Sequence, residues 1–97
     1  MRPPDKLRPV VVITADRHIP RLNAIVIATI TSTIRHVPSE VVLGPEDGMR
    51  VPCAVNLHQL YTVMKTDLQQ RITTLNSRRM EEIRQAGIYA LGFEEPD

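Results

Sequence analysis

Tryptophan is absent from this 97-residue sequence, and its aromatic side chains are Tyr61, Tyr89 and Phe93. That scarcity excludes an extended base-stacking platform of the kind that lines many single-strand-binding grooves. Cysteine is scarcer still. Cys53 stands alone, so no disulfide framework forms within the chain, which suits a reducing compartment. In its apolar setting Cys53 reads as a buried small hydrophobe. One thiol cannot build a structural zinc site, and no Cys-x-x-Cys or His-x-x-x-His spacing occurs, so neither a metal nor a cofactor is expected. The four glycines are scattered, which leaves no Gly-rich loop to cradle a phosphate. No apolar run approaches the ~20 residues needed to span a bilayer. Met1-Arg2-Pro3-Pro4-Asp5 opens without the apolar segment of a signal peptide. These absences predict a small soluble cytoplasmic protein, folded as a single domain over residues 1–97. A chain this short buries only roughly 60–65% of its unfolded surface, so assembly with another copy is a natural source of stability.

What is present begins with an uneven charge distribution. Residues 1–36 carry Arg2, Lys6, Arg8, Arg17, Arg21 and Arg35 against Asp5 and Asp16, while residues 37–97 carry six basic and nine acidic residues. A basic N-terminal third can meet phosphates, although charge alone favours a solvated, mixed surface. Three prolines fall within the first nine residues and make residues 1–7 an irregular segment.

Strand signals follow at short intervals. Val10-Val11-Val12-Ile13 is a β-branched run too short for a helix. Asp16 to Asn23 is a polar connection containing Pro20. Ala24-Ile25-Val26-Ile27-Ala28-Thr29-Ile30-Thr31 is the strongest strand signal, with apolar residues on both faces. Ser39-Glu40-Val41-Val42-Leu43 reads as a third strand and Gly44-Pro45-Glu46-Asp47-Gly48 as a turn. Cys53-Ala54-Val55-Asn56-Leu57 reads as a fourth strand and Arg71-Ile72-Thr73-Thr74-Leu75 as a fifth, while Gln59 to Met64 is ambiguous. This spacing predicts a small barrel or strongly bent sheet. The chain closes on a helix with Asn76 or Ser77 as N-cap and Gly92 as C-cap. Met80, Ile83, Gly87 and Ala90-Leu91 form its apolar stripe. Glu81 and Glu82 are placed to suit the helix dipole. Gly87 costs ~1 kcal/mol relative to Ala and leaves room for close packing on the sheet.

Four segments, taken in order, resemble the MazF/PemK family of toxins from type II toxin–antitoxin systems. Lys6-Leu7-Arg8-Pro9-Val10-Val11-Val12-Ile13 is similar to the family's polar residue, Arg-Pro and aliphatic strand. Ile25-Val26-Ile27-Ala28-Thr29-Ile30-Thr31 resembles its strand ending in a functional Thr or Ser. Val55-Asn56-Leu57-His58-Gln59-Leu60-Tyr61-Thr62 resembles its Val-Asn-x-Asp-Gln-Ile-x-Thr segment. Leu75 to Phe93 resembles its closing helix. His58 and Tyr61 stand where the family usually has an acid and an Arg or His. Seven residues precede Arg8, whereas family members usually open with a Gly-(Glu/Asp)-(Ile/Val)-Trp strand and a loop, so the chain reads as an N-terminally shortened member.

The resemblance implies an SH3-like small barrel of the CcdB/PemK kind with a C-terminal helix. It implies an endoribonuclease that cleaves single-stranded RNA without a metal, the substrate 2′-hydroxyl attacking the adjacent phosphorus. It also implies a homodimer with RNA in a groove and a small antitoxin as partner, whose acidic tail competes with the RNA. Such an enzyme must position a phosphate and stabilise its growing charge. Arg8 and Thr31 are the implied catalytic residues. A guanidinium presents a planar fork of donors to phosphate oxygens, and its pKa above ~12 makes it a charge stabiliser rather than a base. The Thr31 hydroxyl can orient the phosphate or the 2′-hydroxyl, and Ser32 and Thr33 offer similar groups alongside. Lys6, Ser32, Thr33, Asn56, His58 and Gln59 are the implied RNA-binding residues. A two-histidine ribonuclease would need a paired acid and base. Nothing in the sequence brings His18, His36 and His58 together in pairs. A different outcome on the same fold is a non-catalytic or truncated relative that binds an antitoxin or poisons gyrase, since fold does not fix function.

Overall fold

A computed structural model describes residues 9–68 and 73–93. Within them lie four strands: β1 (Val10–Val12), β2 (Ala24–Thr31), β3 (Glu40–Leu43) and β4 (Cys53–Met64). One helix, α1, spans Ser77–Leu91. The strands form an antiparallel sheet in the order β1-β2-β4-β3, a half-barrel backed by the helix. Among the described residues no helix is long and apolar enough to cross a membrane.

Each strand puts alternate side chains on opposite faces. On the face toward α1, Val11 pairs with Ala28 and Val41 with Val55, and these four join Leu43, Cys53, Leu57, Ile83 and Ala86 in one core. Val55 and Ala28 are fully shielded from solvent. Burial pushes the Cys53 thiol pKa up, with the Asp47 charge adding to the effect. Ile25 and Ile27 are also buried but lie outside this core, on the opposite face. The central strand is therefore covered on both sides, as its unbroken apolar sequence suggests.

The connection after β1 contains a 3-10 turn, Ile19–Arg21, set by Pro20, and the turn after β3 contains another, Pro45–Asp47. Gly48 follows at φ +89°, and a side chain there would also collide with Thr73. Asp47 ties this turn together. Its carboxylate accepts the Gly44 N–H at 3.0 Å and the Arg79 Nε–H at 2.9 Å, fastening the turn to the first turns of α1. The Arg79 guanidinium holds the Asp47 carboxyl below the usual carboxylate range.

Two strand readings change. The segment from Gln59 to Met64, ambiguous in sequence, is the second half of β4. Between Ala28 and Thr29 the partner on β4 jumps from Leu60 to Asn56. Leu57, His58 and Gln59 form a bulge that interrupts the period-two pattern. Of the strand expected at Arg71–Leu75, Arg71 and Ile72 lie outside the described residues, and Thr73–Leu75 are not in the sheet. Leu75 packs against the core instead, and the chain passes at once into the helix cap.

The helix ends are as expected. The Asn76 side chain accepts from the Arg79 N–H at 2.9 Å, and Gly92 closes the helix at φ +76°. Glu81 and Glu82 lie beyond the first turn and pair instead with Arg84 and Arg79. Gly87 is not a close-packing necessity. A Cβ there would meet Leu57 Cδ1 at 3.8 Å, an ordinary contact.

Candidate functional site

The face of the sheet turned away from α1 carries polar side chains at one end. Thr29 on β2 is paired with Val10 on one side and Asn56 on the other, and Asn56 is paired in turn with Glu40. Two residues along β2, Thr31 is paired with Ala54, which is paired with Val42. Cross-strand partners share a face. Thr29, Thr31 and Asn56 therefore look out of the same surface. Gln59 joins them across the bulge, its Oε1 accepting the Thr29 hydroxyl at 2.9 Å.

Local hydrogen bonds set the remaining orientations. Thr31 Oγ1 accepts the Thr33 N–H at 3.1 Å, a short turn that ends β2 and fixes the hydroxyl. Asn56 Oδ1 accepts the His58 N–H at 2.9 Å within the bulge. Thr31 and Asn56 are half-buried, whereas Ser32, Thr33, His58 and Gln59 are exposed. The register explains why residues so far apart in sequence meet. β2 and β4 are antiparallel, so the end of β2 lies against the first half of β4.

Of the residues singled out in sequence, Thr31, Asn56 and Gln59 are brought together on this face. Ser32 and Thr33 flank Thr31 just beyond the strand, and His58 sits in the bulge between Asn56 and Gln59. Arg8 and Lys6 lie outside the described residues. Thr29 was missed. Its alternation with Thr31 along one face was visible in the sequence, but its partner Gln59 is reached only through the bulge. Tyr61 also belongs to this surface. It pairs with Ile27 and is half exposed.

Among the described residues no hydrogen bond joins two of His18, His36 and His58, and no three His, Cys, Asp or Glu side chains cluster as a metal site would. Among the described residues, the ionisable groups displaced from their ordinary values lie elsewhere: Cys53 in the core, Asp47 with Arg79 at the helix start, and Glu81 with Arg84 along the helix. This face offers hydroxyls and amides rather than a proton-transfer pair. Such an arrangement grips and orients a ligand whose own groups do the chemistry.

The family described as PemK-like, MazF-like toxin of type II toxin-antitoxin system matches residues 2–89. The chain is 38% identical over 77 residues to the probable endoribonuclease MazF2 of Mycobacterium tuberculosis, covering 77% of this chain and 74% of the relative. It is 43% identical over 77 residues to the probable endoribonuclease MazF5 of the same organism, covering 78% and 71%. Its fold superposes on Mycobacterium tuberculosis toxin MazF-mt6 with a TM-score of 0.86 at 27% identity, covering 94% of this chain and 92% of that one. It also matches a mycobacterial endoribonuclease solved in complex with its cognate antitoxin, with a TM-score of 0.82 at 25% identity, covering 92% and 84%.

Proposed function

The chain belongs to the PemK-like, MazF-like toxin family, and from that premise we infer that it is an endoribonuclease toxin of a bacterial toxin–antitoxin system, acting on single-stranded RNA. The observation that carries the reading is the gathering of Thr31, Asn56 and Gln59, from separate segments of sequence, on one polar face. The relatives named as endoribonucleases and the antitoxin-bound neighbour support it. The protein works in the cytoplasm as a single domain that pairs into a homodimer, and an antitoxin covers the same face to silence it.

The reaction needs little from the protein. The 2′-oxygen of the RNA attacks the adjacent phosphorus and gives up its proton to solvent. The bond from phosphorus to the 5′-oxygen breaks, and that oxygen is protonated as it leaves. A 2′,3′-cyclic phosphate and a 5′-hydroxyl remain. Thr31 orients the phosphate through its hydroxyl, and Arg8 stabilises the charge that builds on the phosphate oxygens. Lys6, Ser32, Thr33, Asn56, His58 and Gln59 hold the flanking nucleotides.

The test is incubation of the purified chain with long single-stranded RNA in EDTA. Discrete cuts are expected, with cyclic-phosphate ends, and Arg8→Ala should slow them by ~10²–10³-fold, the usual effect of removing one charge-stabilising donor. Intact RNA with the folded wild-type chain would contradict the nuclease reading. Gyrase-dependent DNA damage in its place would assign the fold a different target.

A further inference from the structure

We propose that Arg35 is a further RNA-binding residue, whose guanidinium holds a phosphate beside the one that is cut. The proposal rests on the outer face as the RNA-binding surface. The side chains gathered there, Thr29, Thr31, Asn56, Gln59 and Tyr61, carry no charge at neutral pH. Glu40 ends the Asn56 row with a negative one. Such a surface holds a polyanion weakly, because the attraction between protein and nucleic acid comes largely from cations set against phosphates. Arg8 is assigned to the phosphate that reacts. The phosphate next along the strand needs a cation of its own.

Arg35 is placed to supply it. It lies on the connection from β2 to β3, shortly after Thr31 ends β2. Its N–H donates to Glu40 Oε1 at 3.0 Å, which ties its backbone to the end of the row running from Thr29 through Asn56 to Glu40. That row spans about 10 Å, two strand spacings. The connection is fastened on both sides of Arg35. The Thr33 N–H donates to Thr31 Oγ1, and the Glu40 N–H donates to the Val37 carbonyl at 3.0 Å. His36 has φ +56°, in the left-handed region that few residues other than glycine adopt, so the chain turns sharply just after Arg35. A loop already held in place loses little freedom on binding. The Arg35 side chain is exposed, and among the described residues no ion pair or hydrogen bond engages its guanidinium. Other described cations are committed or remote. Lys65 donates to the Ile19 carbonyl, and Arg79 and Arg84 are paired with acids. Arg17 and Arg21 precede β2, whose far end at Thr31 is about 23 Å away. Arg50, on the turn before β4, has no hydrogen bond tying it to this face among the described residues.

Binding can be read without cleavage on a short mixed-sequence RNA whose 2′-hydroxyls are methylated and cannot attack. Measured by fluorescence anisotropy, the logarithm of Kd rises with the logarithm of salt concentration, by about 0.7 for each phosphate contact on a single strand. Arg35→Ala should lower that slope by about 0.7, and Arg35→Lys, which keeps the charge, should restore it. Arg78→Ala removes another exposed charge, from the helix behind the sheet, and should leave the slope unchanged. On cleavable RNA, Arg35→Ala should raise KM several-fold and change kcat by less than about twofold, because the contact is the same before and during the reaction. Alanine keeps the N–H that Glu40 holds, so the melting temperature should match the wild type. An unchanged slope in Arg35→Ala, an equal fall in Arg78→Ala, a slope that Arg35→Lys leaves depressed, or a loss confined to kcat would overturn the proposal. A wild-type chain that binds no strand would overturn it together with the outer face as the RNA site. Strands bound with the expected slopes while long RNA stays intact would sustain it and overturn the nuclease reading alone.

Discussion

The two faces of the sheet are made from the same four strands, residue by residue in alternation, and they do opposite work. Toward α1, Val11, Ala28, Val41, Val55 and Leu57 interlock with Ile83 and Ala86 and exclude water. Away from α1, Thr29, Thr31 and Asn56 occupy the neighbouring positions on the same strands, held by short hydrogen bonds at a half-wet surface. The inner face sets stability through packed volume, and the outer face is the proposed seat of the chemistry. Substitutions on each should separate cleanly in measurement.

The largest stability effect is expected at Leu57, which is 2% exposed and lies in the bulge between the outer-face residues Asn56 and Gln59. Leu57→Ala should lose about 3 kcal/mol by urea denaturation, from lost transfer energy and the cavity left behind. A loss below about 1 kcal/mol would mean that the inner face is not packed as described.

Next comes the tie between the β3–β4 turn and the helix. Asp47 is held with a lowered pKa, chiefly by the Arg79 hydrogen bond. Its contribution is therefore fully present above the ordinary carboxylate range and is lost as pH falls through the lowered value. At pH 7, Asp47→Asn should be destabilised by about 2 kcal/mol, the scale of a hydrogen bond to a charged group. The gap to wild type should close as the pH falls below about 4, and RNA cleavage per folded molecule should not change. A gap that stays constant with pH would deny the ion pair its role.

The smallest effect has the opposite sign. Gly87→Ala fits the space beside Leu57 Cδ1 and should stabilise the protein by ~1 kcal/mol through helix propensity. A raised melting temperature at unchanged activity confirms it, and a lowered one would show tighter packing under the helix than 3.8 Å suggests.

How much of this was legible beforehand follows the same division. The inner face was readable because packing writes itself into sequence as periodicity. β2 and the helix, with the Asn76 and Gly92 caps, are plain in the order of residues. β4 beyond Leu57 was not readable. A bulge of three residues breaks the alternation on which strand recognition rests, and only the pairing partner reveals it. Glu81 and Glu82 misled for a related reason. Their position suggested the dipole, but ion pairs with Arg84 and Arg79 occupy them. On the outer face, Thr31, Asn56 and Gln59 were suggested by family resemblance alone, because single hydroxyls and amides leave no period. Thr29 went unnoticed since its importance lies in a contact 30 residues away.

The most direct test is Thr31→Val, measured for stability and RNA cleavage in one preparation. Valine keeps the shape and β propensity of threonine and removes only the hydroxyl. The exposed bond to the Thr33 N–H should cost no more than about 1 kcal/mol. Cleavage of long single-stranded RNA in EDTA should fall by ~10²-fold or more. A variant that melts with the wild type and cuts at the wild-type rate would contradict the assignment of chemistry to this face.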